Sequence, residues 1–243
     1  MSEFPKVAPI GLMGIVVSFA SAMDSRANLA AIAFRAAVDA QGWTEVLETS
    51  STLVSTFIAV DLVVVDYDDM RARLETLIAS KDWYAIALPP GRKLWTLPMC
   101  FGTDRAPQLD EAANAAGLSP KDAMSSLVNS RSRVITLGYA PGQPYLGPLE
   151  PAWDIPRQSE LTPQVPAGAL VVAIRQFVLF TAPMPTGWRH VGQTAFLPFD
   201  PHRDTPVALT PGDEIRFAPI SPAELSDLEK TDSLGGATWE VLP

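Results

Sequence analysis

The side chains best suited to handling a small polar substrate are the guanidinium of Arg157, the amide of Gln176 and the phenols of Tyr139 and Tyr145. An arginine fork holds a carboxylate through two parallel N–H···O bonds, a geometry that the point charge of lysine does not offer. Arg157 could equally pair with one of the many surface acids, and Gln176 is open to the same two readings. The run Gly138-Tyr139-Ala140-Pro141-Gly142-Gln143-Pro144-Tyr145-Leu146-Gly147 projects two tyrosines from a backbone in which proline fixes φ and glycine permits φ > 0. Such a loop suits recognition, or it is a tight connection whose tyrosines cap a barrel. Arg189, His190, His202, Arg203 and Asp204 contain the groups for acid–base work, but they sit in turn-rich sequence and are expected on a solvated surface. Trp188 reads as a packed core or interface residue, and Cys100 as an inert buried thiol on a strand.

The familiar self-contained signatures are missing. There is no GxxxxGK[ST] loop, GxGxxG turn, GxSxG elbow, HExxH helix or CxxC pair. That moves weight toward a protein that builds only part of an active site. Two histidines, His190 and His202, with one cysteine leave little for a metal, and no metal site is expected.

The elements that must position these residues fall into two textures. Gly11 to Phe19, apolar and β-branched, reads as a buried strand. A helix follows from the cap candidates Asp24 and Ser25 toward Gly42, with Leu29, Ile32, Ala33 and Ala36 on one face. Thr44 to Leu47 and Thr56 to Val65 read as strands, Tyr67 to Ser80 as a helix, and Lys93 to Phe101 as another strand. The order to about Phe101 is βαββαβ, the pattern of a ferredoxin-like sandwich. Helices are predicted over Pro107 to Ala116 and Lys121 to Val128, the second capped by Ser119-Pro120, as a connector. Beyond Arg133 come short strands broken by prolines and glycines: Arg133 to Tyr139, Leu170 to Ile174, Phe177 to Thr181, Arg189 to His190 and Glu214 to Phe217. That texture predicts a sandwich or barrel. Ser221-Pro222-Ala223-Glu224 is a capping box, and Thr238 to Leu242 a closing strand.

Bulk properties narrow the function classes. The chain has 243 residues and a formal net charge of −9, with 27 acidic against 18 basic residues, which argues against a nucleic-acid partner. A single cysteine excludes an internal disulfide and suits the cytoplasm. Val7 to Met23 is uncharged and ends in Ala20-Ser21-Ala22, like a leader cleavage site. Glu3 offsets Lys6, however, Pro9 and Gly11 interrupt the run, and it falls short of the roughly 20 residues of a membrane span. A buried strand is the expected form, with no membrane association.

In order and spacing, the tyrosine loop with Pro156-Arg157, Val165 to Gly168, Pro185 to Trp188 and Gly192 to Thr194 after it resembles a known family, that of the 5-oxoprolinase B subunit, allophanate hydrolase subunit 1 and the Kip kinase inhibitor. Its loop G-F-x-P-G-F-x-Y-L is matched by Gly138 to Leu146, and its P-R by Pro156-Arg157. V-P-A-G is matched by Val165 to Gly168, P-G-G-W by Pro185 to Trp188, and G-R-T by Gly192 to Thr194. Upstream, Leu97 to Gly102 and Leu109 to Ala113 are similar to its P-V-C-Y-G and D-L-x-x-V-A segments. The strand G-x-Q-T-G-I-Y-P has become Ile174 to Thr181, keeping Gln176 but losing its glycines. A second arginine before V-P-A-G is Thr162 here, and a histidine ahead of the tyrosine loop has no counterpart.

The resemblance implies an α+β fold, with a ferredoxin-like α/β sandwich over residues 1–92, then a cyclophilin-like β-barrel over 93–243 carrying a helical connector at 107–128. It implies a catalytic set of Arg157, Gln176 and Tyr145, and substrate contacts at Tyr139, Pro141, Gly142, Pro166, Gly168, Gly187, Trp188 and Thr194. The implied activity is that of one component of an ATP-dependent hydrolase opening 5-oxoproline to glutamate. Its partner would be a second subunit, of the type of the 5-oxoprolinase C subunit or allophanate hydrolase subunit 2. No cofactor is expected on this chain alone, with ATP used by the complex. The alternatives are a carboxyltransferase component of a biotin-dependent urea carboxylase and a non-catalytic, Kip-like kinase inhibitor.

Overall fold

The computed structural model describes residues 3–61, 63–231 and 233–242, and the chain divides into two compact units, Met1–Pro90 and Gly91–Pro243. In the first unit the strands β1 (Lys6–Ile10) and β2 (Gly14–Ser18) form a hairpin, followed by helix α1 (Ser25–Asp39), β3 (Val46–Ser51), β4 (Ser55–Val60) and helix α2 (Tyr67–Ala79). The carboxylate of Asp24 starts α1 by accepting the Ala27 N–H at 2.8 Å, satisfying a donor that has no partner within the helix. Ala27, Ala30, Ala31, Phe34 and Val38 then fall on one buried face, packed with Ile15, Val17, Ile58 and Val60 from the alternating positions of β2 and β4. Thr56, also on that face, donates its hydroxyl proton to the Ala31 carbonyl at 2.8 Å.

The sheet is antiparallel in the order β1-β2-β4-β3. The ferredoxin-like arrangement is present, but the place of its last strand is taken by β1 from the N-terminal side, and not by Lys93 to Phe101. Proline at position 9 is tolerated because β1 is an edge strand. The strand expected across 56–65 stops at Val60; Val63 and Val64 are exposed, and Leu62 lies outside the described residues.

The second unit begins with β5 (Lys93–Phe101), α3 (Leu109–Ala115) and α4 (Pro120–Asn129), then β6 (Ser132–Leu137), β7 (Pro144–Gly147), β8 (Thr162–Val165), β9 (Ala169–Ala173) and β10 (Gln176–Leu179). It continues with β11 (Met184–Thr186), β12 (Arg189–Gln193), β13 (Glu214–Pro219), α5 (Pro222–Leu228) and β14 (Thr238–Val241). Strands run β12-β9-β10-β7-β6-β13-β5, and β5 returns to β12 at Cys100↔Gln193, which closes a seven-stranded barrel; β14 extends the β5 edge. The expected cyclophilin-like barrel is therefore present. Its interior packs Leu97, Met99, Leu146, Leu170, Val172, Phe177, Leu179 and Phe217. Leu109, Ala112, Ala113, Ala123 and Leu127 join the same cluster, so α3 and α4 are walls of the core and not a mere connector.

Residues that alternate with the interior set, Val171, Ala173 and Val178, form a second apolar cluster with Phe180, Trp188 and Val165. Both faces of β9 and β10 are thus buried, which is why they read as continuous apolar runs. Ile174 and Arg175, both at positive φ (43° and 60°), make the two-residue turn between them. The turn is strapped from outside: Ile174 N–H donates to the Ile155 carbonyl, Arg175 N–H to that of Trp153, and Arg175 Nε to that of Leu149.

Candidate functional site

The ribbon formed by β8 and β11 packs over the outward side chains of β9 and β10, and beside it opens a cavity of about 380 Å³. Val178 and Phe180 on and after β10 and Tyr145 on β7 supply one side. Arg157, Gln158 and Leu161 come from the segment before β8, Thr186 to Trp188 from the end of β11, and Tyr139 with Gln143 from the loop between β6 and β7. Trp188, 7% exposed, meets Tyr145 edge to face, their ring centroids 6.1 Å apart.

Arg157 is held by its neighbours. Gln158 N–H donates to the Gly187 carbonyl at 2.7 Å, and Gln158 Nε2 donates to the Trp188 carbonyl at 2.9 Å. Gln108 Nε2 donates in turn to Gln158 Oε1 at 2.8 Å. On the other flank Arg189 Nη1 donates to the Pro156 carbonyl, while its Nε pairs with Glu111 at 2.9 Å. The backbone on both sides of Arg157 is therefore clamped. Its guanidinium carbon lies 5.7 Å from the centre of the Trp188 ring, within cation–π range. Among the described residues no carboxylate pairs with it, so its fork is available to a ligand. Among the described residues lining the cavity there is no carboxylate, imidazole or thiol, and the formal charge is the guanidinium alone.

Of the expected site residues, Tyr139, Tyr145, Arg157, Gly187 and Trp188 share this cavity. Gln176 lies two residues before Val178 on β10, packed against Gly147 and outside the lining. Pro141 is at the exposed tip of the β6–β7 loop, and Gly142 turns at φ 64° with Phe199 against it. Pro166 is exposed after β8. Gly168 and Thr194 belong to the barrel frame, where Thr194 N–H donates to the Gly168 carbonyl at 3.0 Å. Thr194 also borders a separate hollow of about 290 Å³, with Gln193 and Ser233. Gln143 and Gln158 were not singled out by residue type. Their signal was position, one inside the tyrosine loop and the other beside Arg157.

The acid–base candidates are not gathered into one site. Arg189 and His190 are buried on β12, contrary to the expectation of a solvated loop, because β12 closes the barrel. His202 and Arg203 serve their own turn, through His202 N–H to Asp200 and Arg203 Nη2 to the Leu197 carbonyl. Cys100 is buried on β5 as expected. Burial holds the His190 imidazole below its usual value of 6.5, outweighing hydrogen bonding with the Gly192 backbone and the Gln193 side chain. The unfolded chain then binds a proton that the folded one refuses. Stability is fully present above about 6.5 and falls as pH drops through the lowered value. In denaturation titrations between about pH 7 and 5, His190→Gln is expected to lose a measurable part of the wild-type slope; an unchanged slope would show that His190 does not contribute.

Residues 5–209 match the family described as carboxyltransferase domain, subdomain C and D. The chain belongs to this family. Among curated relatives, the B subunit of 5-oxoprolinase from Bacillus subtilis (strain 168) is 34% identical over 130 residues, 54% of this chain and 54% of that protein. The protein of the same name from Escherichia coli O157:H7 is 36% identical over 133 residues, 55% of this chain and 61% of its own length. The matched stretch thus spans little more than half of these relatives. Among solved structures, urea amidolyase of K. lactis superposes with a TM-score of 0.73 over 97% of this chain and 16% of that one, at 19% identity, a likeness of fold. Among the described residues no helix is long and apolar enough to cross a membrane.

Proposed function

We propose that the chain is the substrate-holding part of a shared active site in a 5-oxoprolinase-type complex. The observation that carries this reading is a cavity with an arginine fork over a tryptophan face, paired with no carboxylate among the described residues, and with no carboxylate, imidazole or thiol among the described residues of its lining. Arg157 takes the carboxylate of 5-oxoproline, and Tyr145 and Trp188 flank the ring. A second subunit, of the type of the 5-oxoprolinase C subunit or allophanate hydrolase subunit 2, supplies the groups that move protons. Water adds to the lactam carbonyl, the carbonyl–nitrogen bond breaks, glutamate is released, and the complex cleaves ATP to ADP and phosphate. The likeness in sequence to proteins named as the B subunit of 5-oxoprolinase supports this choice of substrate, and the single cysteine suits work in the cytoplasm.

The family's description as a carboxyltransferase domain supports a second reading, transfer of a carboxyl group from a biotinylated carrier to a urea-like acceptor. One experiment separates the two. The chain is purified with its second subunit and assayed for 5-oxoproline-dependent ADP release and glutamate formation. Coupled formation of both products is expected. ADP release independent of 5-oxoproline would reject the first reading, and turnover only with a biotinylated carrier would establish the second.

A further inference from the structure

We propose that the side-chain amide of Gln143 reads the ligand of the Arg157–Trp188 cavity, selecting a carboxylate whose ring presents an amide edge, an N–H beside a C=O, as a lactam or a cyclic ureide does. The proposal rests on the reading of this cavity as a binding site. Gln143 lines the cavity and is 2% exposed, yet its Oε1 accepts a hydrogen bond from no described residue. Its backbone cannot swing away, because Gln143 N–H donates to the Ala140 carbonyl at 3.1 Å and its carbonyl accepts from Gly138 N–H at 3.0 Å. Gly142 on one side is at φ 64°, and Pro144 on the other begins β7, so the side chain is aimed by a stiff frame.

The other lining amide is used differently. Gln158 donates to the Trp188 carbonyl and accepts from Gln108, and the Thr186 hydroxyl oxygen accepts from Trp188 N–H. Those groups build the cavity wall, whereas the amide oxygen of Gln143 bonds to none of the described residues. A buried amide oxygen left unpaired is costly, and a ligand in the cavity that Gln143 lines is a source of the missing partner once the amide turns toward it. A half-turn of the amide exchanges its oxygen and nitrogen, so one donor and one acceptor are available to a ligand that offers the complementary pair. In the family loop G-F-x-P-G-F-x-Y-L this place belongs to phenylalanine. Here a hydrogen-bonding group stands in place of an apolar ring, at a residue that lines the cavity.

The test is calorimetric titration of the chain with three ring carboxylates: 5-oxoproline, L-dihydroorotate and L-proline, the last lacking the ring carbonyl. The wild type is expected to bind at least one of the first two about tenfold or more tighter than proline, and whichever binds tighter assigns the lactam or the ureide. Gln143→Met keeps the length and removes the amide, and is expected to bring that ratio to within about twofold of unity at an unchanged or raised thermal midpoint. If Gln143→Met does not fold, Gln143→Phe, which restores the residue of the family pattern, gives the same readout. A ratio that survives in the folded variant overturns the role of Gln143 alone. Equal wild-type affinity for all three ligands also overturns it while leaving a carboxylate site in place. Wild-type binding of none of them overturns the cavity reading along with it.

Discussion

Gly168→Ala is expected to lower the stability of the barrel by about 3–5 kcal/mol and its thermal midpoint by roughly 10 °C, the largest single-residue effect foreseen for this chain. Gly168 sits at φ 77°, a region in which an L side chain costs about 1–3 kcal/mol. A Cβ there would stand 2.1 Å from the Thr194 carbonyl oxygen and 2.9 Å from Gln193 Nε2. The first contact is with backbone, so no rotamer change relieves it. Overpacking of this kind costs typically about 1–3 kcal/mol on its own, and β9 or β12 would have to move. Moving either disturbs the bonds from Gly168 N–H to the Phe180 carbonyl, 2.8 Å, and from Thr194 N–H to the Gly168 carbonyl. Urea denaturation followed by tryptophan fluorescence measures the effect. A variant with the wild-type midpoint would show that the frame yields at this point and that Gly168 is free for another role.

Arg157→Ala is expected to do the opposite, leaving folding intact and, on the proposed function, removing about 10²-fold from kcat/KM of the complex with the second subunit. The side chain is exposed, is paired with no carboxylate among the described residues, and has its guanidinium within cation–π range of Trp188. A hydrogen bond to a charged group contributes about 1.5–3 kcal/mol, and a fork makes two in one geometry. Arg157→Lys keeps the charge without the fork and is expected to recover only a minor part of the loss. Steady-state kinetics, with gel filtration to confirm that the complex still assembles, decides the matter. Unchanged kcat/KM in a fully assembled Arg157→Ala complex would move the site elsewhere.

These two substitutions separate residues that the resemblance had brought to one site, Arg157 in its catalytic set and Gly168 among its substrate contacts. Gly168 and Thr194 belong to barrel closure, whereas Arg157 and Trp188 belong to the cavity. Motif order could not divide them, because a glycine demanded by a backbone carbonyl and one demanded by a ligand look alike in sequence.

What the amino-acid sequence determined by itself is whatever acts over a few residues. Asp24, Ser119 and the Ser221–Glu224 box start α1, α4 and α5 where expected, since a cap needs only the next three N–H groups. Proline and glycine broke the C-terminal half into short strands, and the order of its turns placed the chain in its family. Tertiary structure alone decided which partners those pieces take. β5, buried along most of its length, reads equally as the last strand of the first unit or the first of the second; its parallel pairing with β13 and its closure onto β12 settle the choice. β1 fills the vacant sheet edge, in a stretch that Pro9 and Gly11 interrupt. Gln176 falls outside the cavity and Gln143 inside it because the antiparallel pairing that sets Tyr145 opposite Val178 leaves Gln143 toward the Phe180 end of β10 and Gln176 beside Gly147 at the other. Which side chains share a cavity is set by the register and direction of pairing between segments distant in sequence, and no local signal carries that information.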